Sequence, residues 1–93
     1  MIEVERENVI RLTGRLDENN VSEIERQLLE VMKTNERLVV DLNDLDVLDV
    51  SGIFMLFVYK HKAKSQNKDV VYLLNATKVI SGNILGINIP KLI

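Results

Sequence analysis

Two short apolar runs with a helical segment between them most constrain the fold of this chain. RLVVDLN, from Arg37, and DVVYLL (69–74) are rich in valine, as strands are. The segment from about Ser51 to Gln66 fits a helix. A strand, a helix and a strand in this order fold with the strands parallel and a right-handed crossover. The chain is therefore expected to be an α/β protein whose apolar strands are covered on both faces.

The sequence before these runs predicts a hairpin and one more helix. IEVER and VIRLTG alternate apolar and polar residues, as paired strands with one buried face do. Ser22 and Glu25 form a capping-box pattern that opens a helix from about 20 to 34. Its apolar residues recur at helical spacing: Val21, Ile24, Leu28, Val31 and Met32. A weaker helical segment, ATKVISGNILG, ends near Gly86.

Composition limits the size and class of the protein. With 93 residues, 46% of them hydrophobic, and one proline, we expect a single domain over residues 1–93. The net charge is −2 and both signs are mixed along the chain, which argues against nucleic acid and anionic membranes as partners. The acidic N-terminus, MIEVERENV, and a longest apolar stretch of only seven residues, Ile53–Tyr59, predict a cytoplasmic protein without membrane insertion. Without cysteine, this sequence has no disulfide and no catalytic thiol.

Four aspartates precede the second helix and raise the question of a metal site. A calcium loop of the EF-hand type beginning at Asp41 requires a ligand at its fifth position and glycine at its sixth, where Leu45 and Asp46 stand. We therefore expect a solvated acidic loop and no metal. His61, the only histidine, lies among lysines and is expected on a helix surface, so the sequence predicts no catalytic residue and no cofactor.

Ser51 follows these aspartates at the junction of loop and helix. A serine there caps the first turn by accepting a backbone N–H. The same position would also stabilise a phosphate on the hydroxyl, because the N-terminus of a helix carries free N–H groups and positive potential. Asp49, two residues away, would make a phosphorylated site strongly acidic.

The helix after Ser51 has more large apolar residues than one face can hold. Met55, Leu56, Tyr59 and Ala63 form a core stripe at 100° per residue. Three others point elsewhere: Phe54, Phe57 and Val58. They either pack against a neighbouring loop, which we expect first because small domains use every large side chain, or form an exposed patch that binds a protein.

Four segments together resemble the STAS domain, the family of bacterial anti-sigma factor antagonists and sulfate-transporter tails. They are VIRLTGRLDENN, LVVDLNDLDVLDVSGIFML, VVYLLN and ILGI, and the likeness covers about residues 2 to 93. Its most specific parts are LTGRLD and the D-x-S-G element, Asp49–Gly52. The resemblance implies a small mixed sheet, mostly parallel after its opening strands, with helices mainly on one side. It also implies a C-terminal helix, which we expect to be missing or truncated because the sequence stops at INIPKLI.

The resemblance further implies a phosphorylation switch. Ser51 matches the family's phosphoacceptor, and Asp17 and Asp49 match the acidic positions that flank it. The unphosphorylated protein would bind an anti-sigma factor serine kinase until that kinase phosphorylates Ser51, and a phosphatase would reverse this. The binding surface would comprise these residues together with Gly52, Ile53, Phe54, Phe57 and Val58.

A second reading of the same resemblance gives Ser51 only a capping role. Where the family commonly has a serine or threonine this chain has Val50, and where it has a small residue this chain has Phe54. Single STAS domains also serve as adaptor subunits bound to the ATPase of a bacterial ABC transporter for lipids. The sequence leaves both readings open, and it leaves a homo-oligomer possible. An enzyme is disfavoured because no base and nucleophile pair is present.

Overall fold

The computed structural model describes residues 2–6 and 8–74, which form four strands and two helices. They follow one another as β1 (Ile2–Arg6), β2 (Val9–Leu16), α1 (Val21–Lys33), β3 (Arg37–Leu48), α2 (Val50–Ser65) and β4 (Asp69–Leu73). The predicted hairpin, both helices and the strand, helix, strand unit are all confirmed. The helical segment predicted to end near Gly86 lies outside the described residues.

The strands form one mixed sheet in the order β1-β2-β3-β4. The first pair is antiparallel, and the other two pairs are parallel. Both crossovers, through α1 and through α2, step in the same direction across the sheet. Right-handed crossovers that step the same way place their helices on the same face. The two helices touch there, since the buried Tyr59 hydroxyl donates a hydrogen bond to the Leu28 carbonyl at 2.7 Å.

The core fills the space between this helical layer and the sheet. It takes alternate residues of β2, among them Ile10, Leu12 and Leu16, and the inner side chains of both helices. No described helix covers the opposite face, where Val71 is 51% exposed and Leu73 is 43% exposed. The prediction that β3 and β4 are covered on both faces is therefore wrong for the described residues, because both helices lie on one side.

β3 is longer than predicted, because it runs on through the aspartates instead of ending in an acidic loop. Its buried residues Leu42, Leu45 and Leu48 lie three apart, which a regular strand cannot point to one face. The register with β2 shifts twice over this stretch, and each shift places one extra residue in β3. Each bulge returns the next leucine to the core. The sequence of this stretch was interpreted as a loop because the bulges interrupt the alternation of apolar and polar residues that is typical of a strand.

α1 begins without the predicted capping box. Its N-cap is Asn20, which makes no side-chain cap, and Ser22 is an exposed residue of the first turn. The Asn20 side chain turns back to the preceding loop, where it donates to the Arg15 carbonyl at 2.7 Å and accepts from the Asp17 N–H at 2.9 Å. This side chain therefore fixes the loop that leads from β2 to α1.

Candidate functional site

Asp49 fixes the start of α2. One carboxylate oxygen accepts the Gly52 N–H at 2.9 Å, and the other accepts the Glu18 N–H at 3.1 Å. The same carboxylate thus caps α2 and holds the loop that follows β2. The prediction that Ser51 is the cap is wrong, because Asp49 is the residue with extended backbone before the first helical residue. Ser51 is instead the second residue of the helix.

Gly52 allows the first turn of α2 to lie against the ends of two strands. A Cβ at this position would lie 2.8 Å from the Leu16 carbonyl oxygen and 2.8 Å from a methyl of Leu48. Carbon atoms do not approach a carbonyl oxygen that closely, so only glycine fits without movement of the backbone. This contact explains the glycine of the D-x-S-G element: it seats the turn that carries Ser51.

The Ser51 side chain is half-buried and makes no hydrogen bond to a described residue. The next two N–H groups of the helix are already used, since Gly52 donates to the Asp49 carboxylate and Ile53 donates to the Asp49 carbonyl at 3.0 Å. The N–H groups of Val50 and Ser51 lie at the open end of the helix, where the dipole is positive. The hydroxyl therefore stands in positive local potential without an internal hydrogen bond that would compete for it.

Asp17 does not lie on the exposed surface where we expected it. The residue is only 6% exposed, and its carboxylate accepts from Arg15 Nε at 2.9 Å and from the Asn19 N–H at 3.0 Å. These two hydrogen bonds, the Arg15 bond first, hold the pKa of Asp17 below its ordinary value despite the opposing effect of burial. Asp17 and Asp49 are thus structural carboxylates that shape the loop and the helix start beside Ser51.

An apolar surface lies beside Ser51, which we call the α2 apolar surface: Val50, Phe54 and Phe57. These side chains are 54%, 67% and 42% exposed, so the first expectation, that the phenylalanines are buried, is wrong. They are exposed because the core side of α2 is already filled by other residues, including Met55 and Tyr59. Val50 was noted in the sequence only as a departure from the family pattern and was not included in the predicted binding surface. Its position directly before Ser51 was the signal that could have included it.

A groove of about 300 Å³ separates this surface from the start of α1. Ser51, Phe54 and Val58 line it from α2, and Ser22 and Glu25 line it from α1. The structure therefore brings Ser51, Phe54, Phe57 and the half-buried Val58 to one side of the molecule. Gly52 and Ile53, also predicted to bind a partner, are buried and support this side from beneath.

The other polar residues singled out in the sequence lie apart from this groove. Asp44 pairs with Arg11 at 3.2 Å on the face of the sheet opposite the helices. His61 is exposed on α2, and its ring contacts the Phe57 ring at 4.5 Å between centroids. Among the described residues no group of three or more histidine, cysteine or acidic side chains is placed to hold a metal ion. Neither of the two described helices is long and apolar enough to cross a membrane.

Two comparisons with known proteins place this fold. The crystal structure of a protein called Mglu matches with a TM-score of 0.67 and 14% sequence identity, over 85% of this chain and 20% of that one. At this identity the likeness concerns the fold alone, and this chain spans a fifth of the length of that protein. A family model described as "Mlab, STAS domain" matches residues 3–83, which include the whole of the site around Ser51. The chain therefore belongs to the STAS domain family.

Proposed function

We propose that this protein is a regulatory binding module of the anti-sigma factor antagonist type, switched by phosphorylation of Ser51. STAS domains are generally binding and regulatory modules, and anti-sigma factor antagonists are among them. The observation that carries the proposal is the Ser51 hydroxyl, which has no hydrogen bond to a described residue. Ser51 lines the groove beside the α2 apolar surface. In this function the chain supplies the hydroxyl and the docking surface, and the partner supplies the chemistry.

The position of Ser51 explains how one phosphate would change binding without unfolding the protein. The phosphate would add nearly two negative charges next to the free N–H groups of the helix, where negative charge is favourable. The same charge would enter a groove that already contains the Glu25 carboxylate and is flanked by exposed apolar side chains. A partner surface fitted to the neutral hydroxyl would then have to desolvate the phosphate, which opposes binding.

The proposed partner is an anti-sigma factor serine kinase in the cytoplasm of a bacterium. The unphosphorylated chain would bind this kinase and release the sigma factor, so that transcription is regulated. The kinase would phosphorylate Ser51 and end the interaction, and a phosphatase would restore the hydroxyl. Phe54 and Phe57 would contact the kinase directly, while Asp17 and Asp49 would hold the backbone on both sides of the contact.

A phosphorylation assay tests the assignment of the phosphoacceptor. The protein is incubated with the anti-sigma factor kinase of the same genome and ATP, and its mass is measured. We expect one phosphate on the wild type and none on Ser51→Ala. The matched control is Ser22→Ala, because Ser22 is exposed, occupies the second position of α1 and lines the same groove, yet should not affect phosphorylation. Phosphate on Ser51→Ala, or its loss in Ser22→Ala alone, would contradict the assignment.

Ser51→Asp tests the switch itself. Aspartate is tolerated in the first turn of a helix, so the thermal midpoint should be close to that of the wild type. Binding to the kinase should weaken about a hundredfold, since an unpaired carboxylate would be buried in the interface. Ser51→Ala should bind as the wild type does. Titration of the kinase against both variants, with melting curves in parallel, separates loss of binding from loss of folding.

The exposure of the α2 apolar surface favours a second candidate function, an adaptor subunit of a bacterial ABC transporter. Val50 and Phe54 are each more than half exposed, and permanent interfaces are more apolar than transient ones. In that function the ATPase of the transporter would cover this surface at all times, and Ser51 would have no regulatory role. Undiminished binding of Ser51→Asp to such an ATPase, without phosphorylation by any kinase, would favour the adaptor.

A further inference from the structure

The exposed side of α2 changes from apolar to basic along its length. Val50, Phe54 and Phe57 occupy its first half, and the exposed His61 and Lys64 occupy its second half. At 3.6 residues per turn these five residues fall within an arc of about 80°. They form a single line along the helix, which we call the α2 outer stripe, opposite the residues that α2 buries in the core.

The basic end of the α2 outer stripe has no carboxylate partner among the described residues. Lys64 makes no ion pair with any described residue. Lys62, two residues away but off the stripe, lies 3.7 Å from the Glu25 carboxylate of α1. The His61 ring contacts Phe57, so the apolar half and the basic half of the stripe are continuous. A molecule that covers the stripe must therefore offer apolar groups at one end and negative charge at the other.

We propose that the α2 outer stripe binds an amphipathic helix of a partner protein that runs antiparallel to α2 and has an acidic first turn. This inference rests on the proposed function, because it takes α2 as the docking element and adds the chemistry and direction of the partner. Acidic side chains are favoured in the first turn of a helix, and two adjacent helices that run antiparallel place opposite ends of their dipoles side by side. In the antiparallel orientation that turn lies beside His61 and Lys64, and the apolar residues that follow it lie on Phe57 and Phe54.

The dimensions of the stripe fit such a helix. From Val50 to Lys64 the axis of α2 advances about 21 Å, so a partner helix of about 14 to 16 residues would cover it. An anionic membrane fits less well. A helix that lies on a membrane has cationic residues on the face opposite its apolar one, whereas that face of α2 is buried in the core. The charge of α2 is also gathered at one end instead of surrounding the phenylalanines.

Two synthetic peptides of about 16 residues test the orientation. Both have the same composition, with leucines at helical spacing, and both are hydrocarbon-stapled so that their helicity is equal by circular dichroism. In one peptide three glutamates occupy the first turn, and in the other they occupy the last turn. Binding to the 93-residue protein is measured by fluorescence anisotropy. We expect the peptide with the acidic first turn to bind at least tenfold more tightly.

Variants of the protein assign this preference to the stripe. Changing both His61→Glu and Lys64→Glu should remove or reverse the preference, while Phe54→Ser should weaken both peptides alike. Lys33→Glu is the matched control, because Lys33 is an exposed lysine near the end of the other helix, and it should leave the preference unchanged. Equal affinity for the two peptides, no binding of either, or an effect of Lys33→Glu as large as that of the double variant would overturn the inference.

Vesicles and the kinase titration separate the remaining outcomes. Binding to phosphatidylglycerol vesicles that depends on Phe54 and Lys64, without any preference between the peptides, would overturn the inference in favour of a membrane. If the peptide preference is absent while Ser51→Asp still loses the kinase, this inference fails and the switch stands. If the preference is present while Ser51→Asp keeps full affinity for the kinase, the switch fails and the docking helix stands.

Discussion

Gly52 shows how one missing side chain positions the site. Its α-carbon lies so close to the Leu16 carbonyl and to Leu48 that any Cβ overlaps them. The sequence alone indicates this glycine only through the resemblance of the D-x-S-G element, because the contact joins residues 36 positions apart in the chain. The carboxylates are a similar case. Asp17 and Asp49 look like exposed acids in the sequence, and only the fold shows the N–H groups that they bind.

Gly52→Ala should lower the free energy of unfolding by about 1 to 3 kcal/mol, because the added methyl group overpacks a backbone carbonyl that cannot move alone. Urea unfolding followed by circular dichroism measures the change. Gly14→Asn is the matched control: Gly14 has φ of +76°, which asparagine tolerates, and nothing lies within 4 Å of its added Cβ. Gly14→Asn should lower the free energy of unfolding by less than Gly52→Ala does. A smaller loss for Gly52→Ala than for Gly14→Asn would contradict the close contact.

At the scale of elements, the sequence predicts best where a segment has one buried face. α1 has such a face, and its buried residues Ile24, Leu28 and Met32 were all expected in the core. β3 is harder to predict because its two bulges increase the spacing between buried residues from two positions, as in a regular strand, to three. α2 is harder to predict for another reason: it is apolar on its buried side and also on part of its exposed side, so periodicity does not tell which phenylalanines face the core.

The start of α2 as an element depends on the Asp49 carboxylate. Asp49→Ala removes the cap and the bond to the Glu18 N–H, and it should cost about 1 kcal/mol. Asp49→Ser keeps an oxygen that can accept the Gly52 N–H but has no second oxygen that reaches Glu18. It should therefore lose less stability than Asp49→Ala. Chemical denaturation of both variants measures the difference. Ser51→Ala is the control and should change stability little, since Ser51 is not the cap; equal losses for Asp49→Ala and Ser51→Ala would contradict this assignment.

For the whole molecule, two carboxylates predict how stability changes with acid. A hydrogen bond from Arg15 lowers the pKa of Asp17, and hydrogen bonds from Arg26 lower the pKa of Glu23 to about 2. A carboxyl whose pKa is lower in the folded state stabilises that state at a pH above its unfolded pKa, near 4. This contribution is lost as the pH falls through the lowered values. The melting temperature should therefore decrease as the pH is lowered from about 4 to about 2.

Asp17→Asn tests the share of Asp17 in this acid dependence. The variant should melt at a lower temperature than the wild type at pH 6, and the two midpoints should converge as the pH falls. Differential scanning calorimetry at several pH values follows both proteins. A constant difference between them from pH 6 to pH 2 would mean that packing of the side chain, and not its charge, is what the substitution removes.

The architecture as a whole followed from the sequence more fully than the site did. Parallel strands with a helix between them and a hairpin before them were expected, because they depend on local periodicity and on the handedness of crossovers. Helices on one side were implied by the family resemblance, whereas the apolar pattern of the strands wrongly suggested cover on both faces. The site depends on which atoms meet between β2, the loop after it and the start of α2. Those contacts join distant residues, so they become visible only in the structure.

The two bulges of β3 also allow the length of the chain to change without moving the site. If one residue of the first bulge, such as Asn43, were deleted, Leu42 and Leu45 would stand two apart and both would still face the core as in a regular strand. The apolar pattern would thus survive the deletion. Thr13 would still pair with Asp44 and Leu16 with Leu48, so the start of α2 would keep its place beside Leu16. A chain shortened in this way would keep both its core and the position of Ser51.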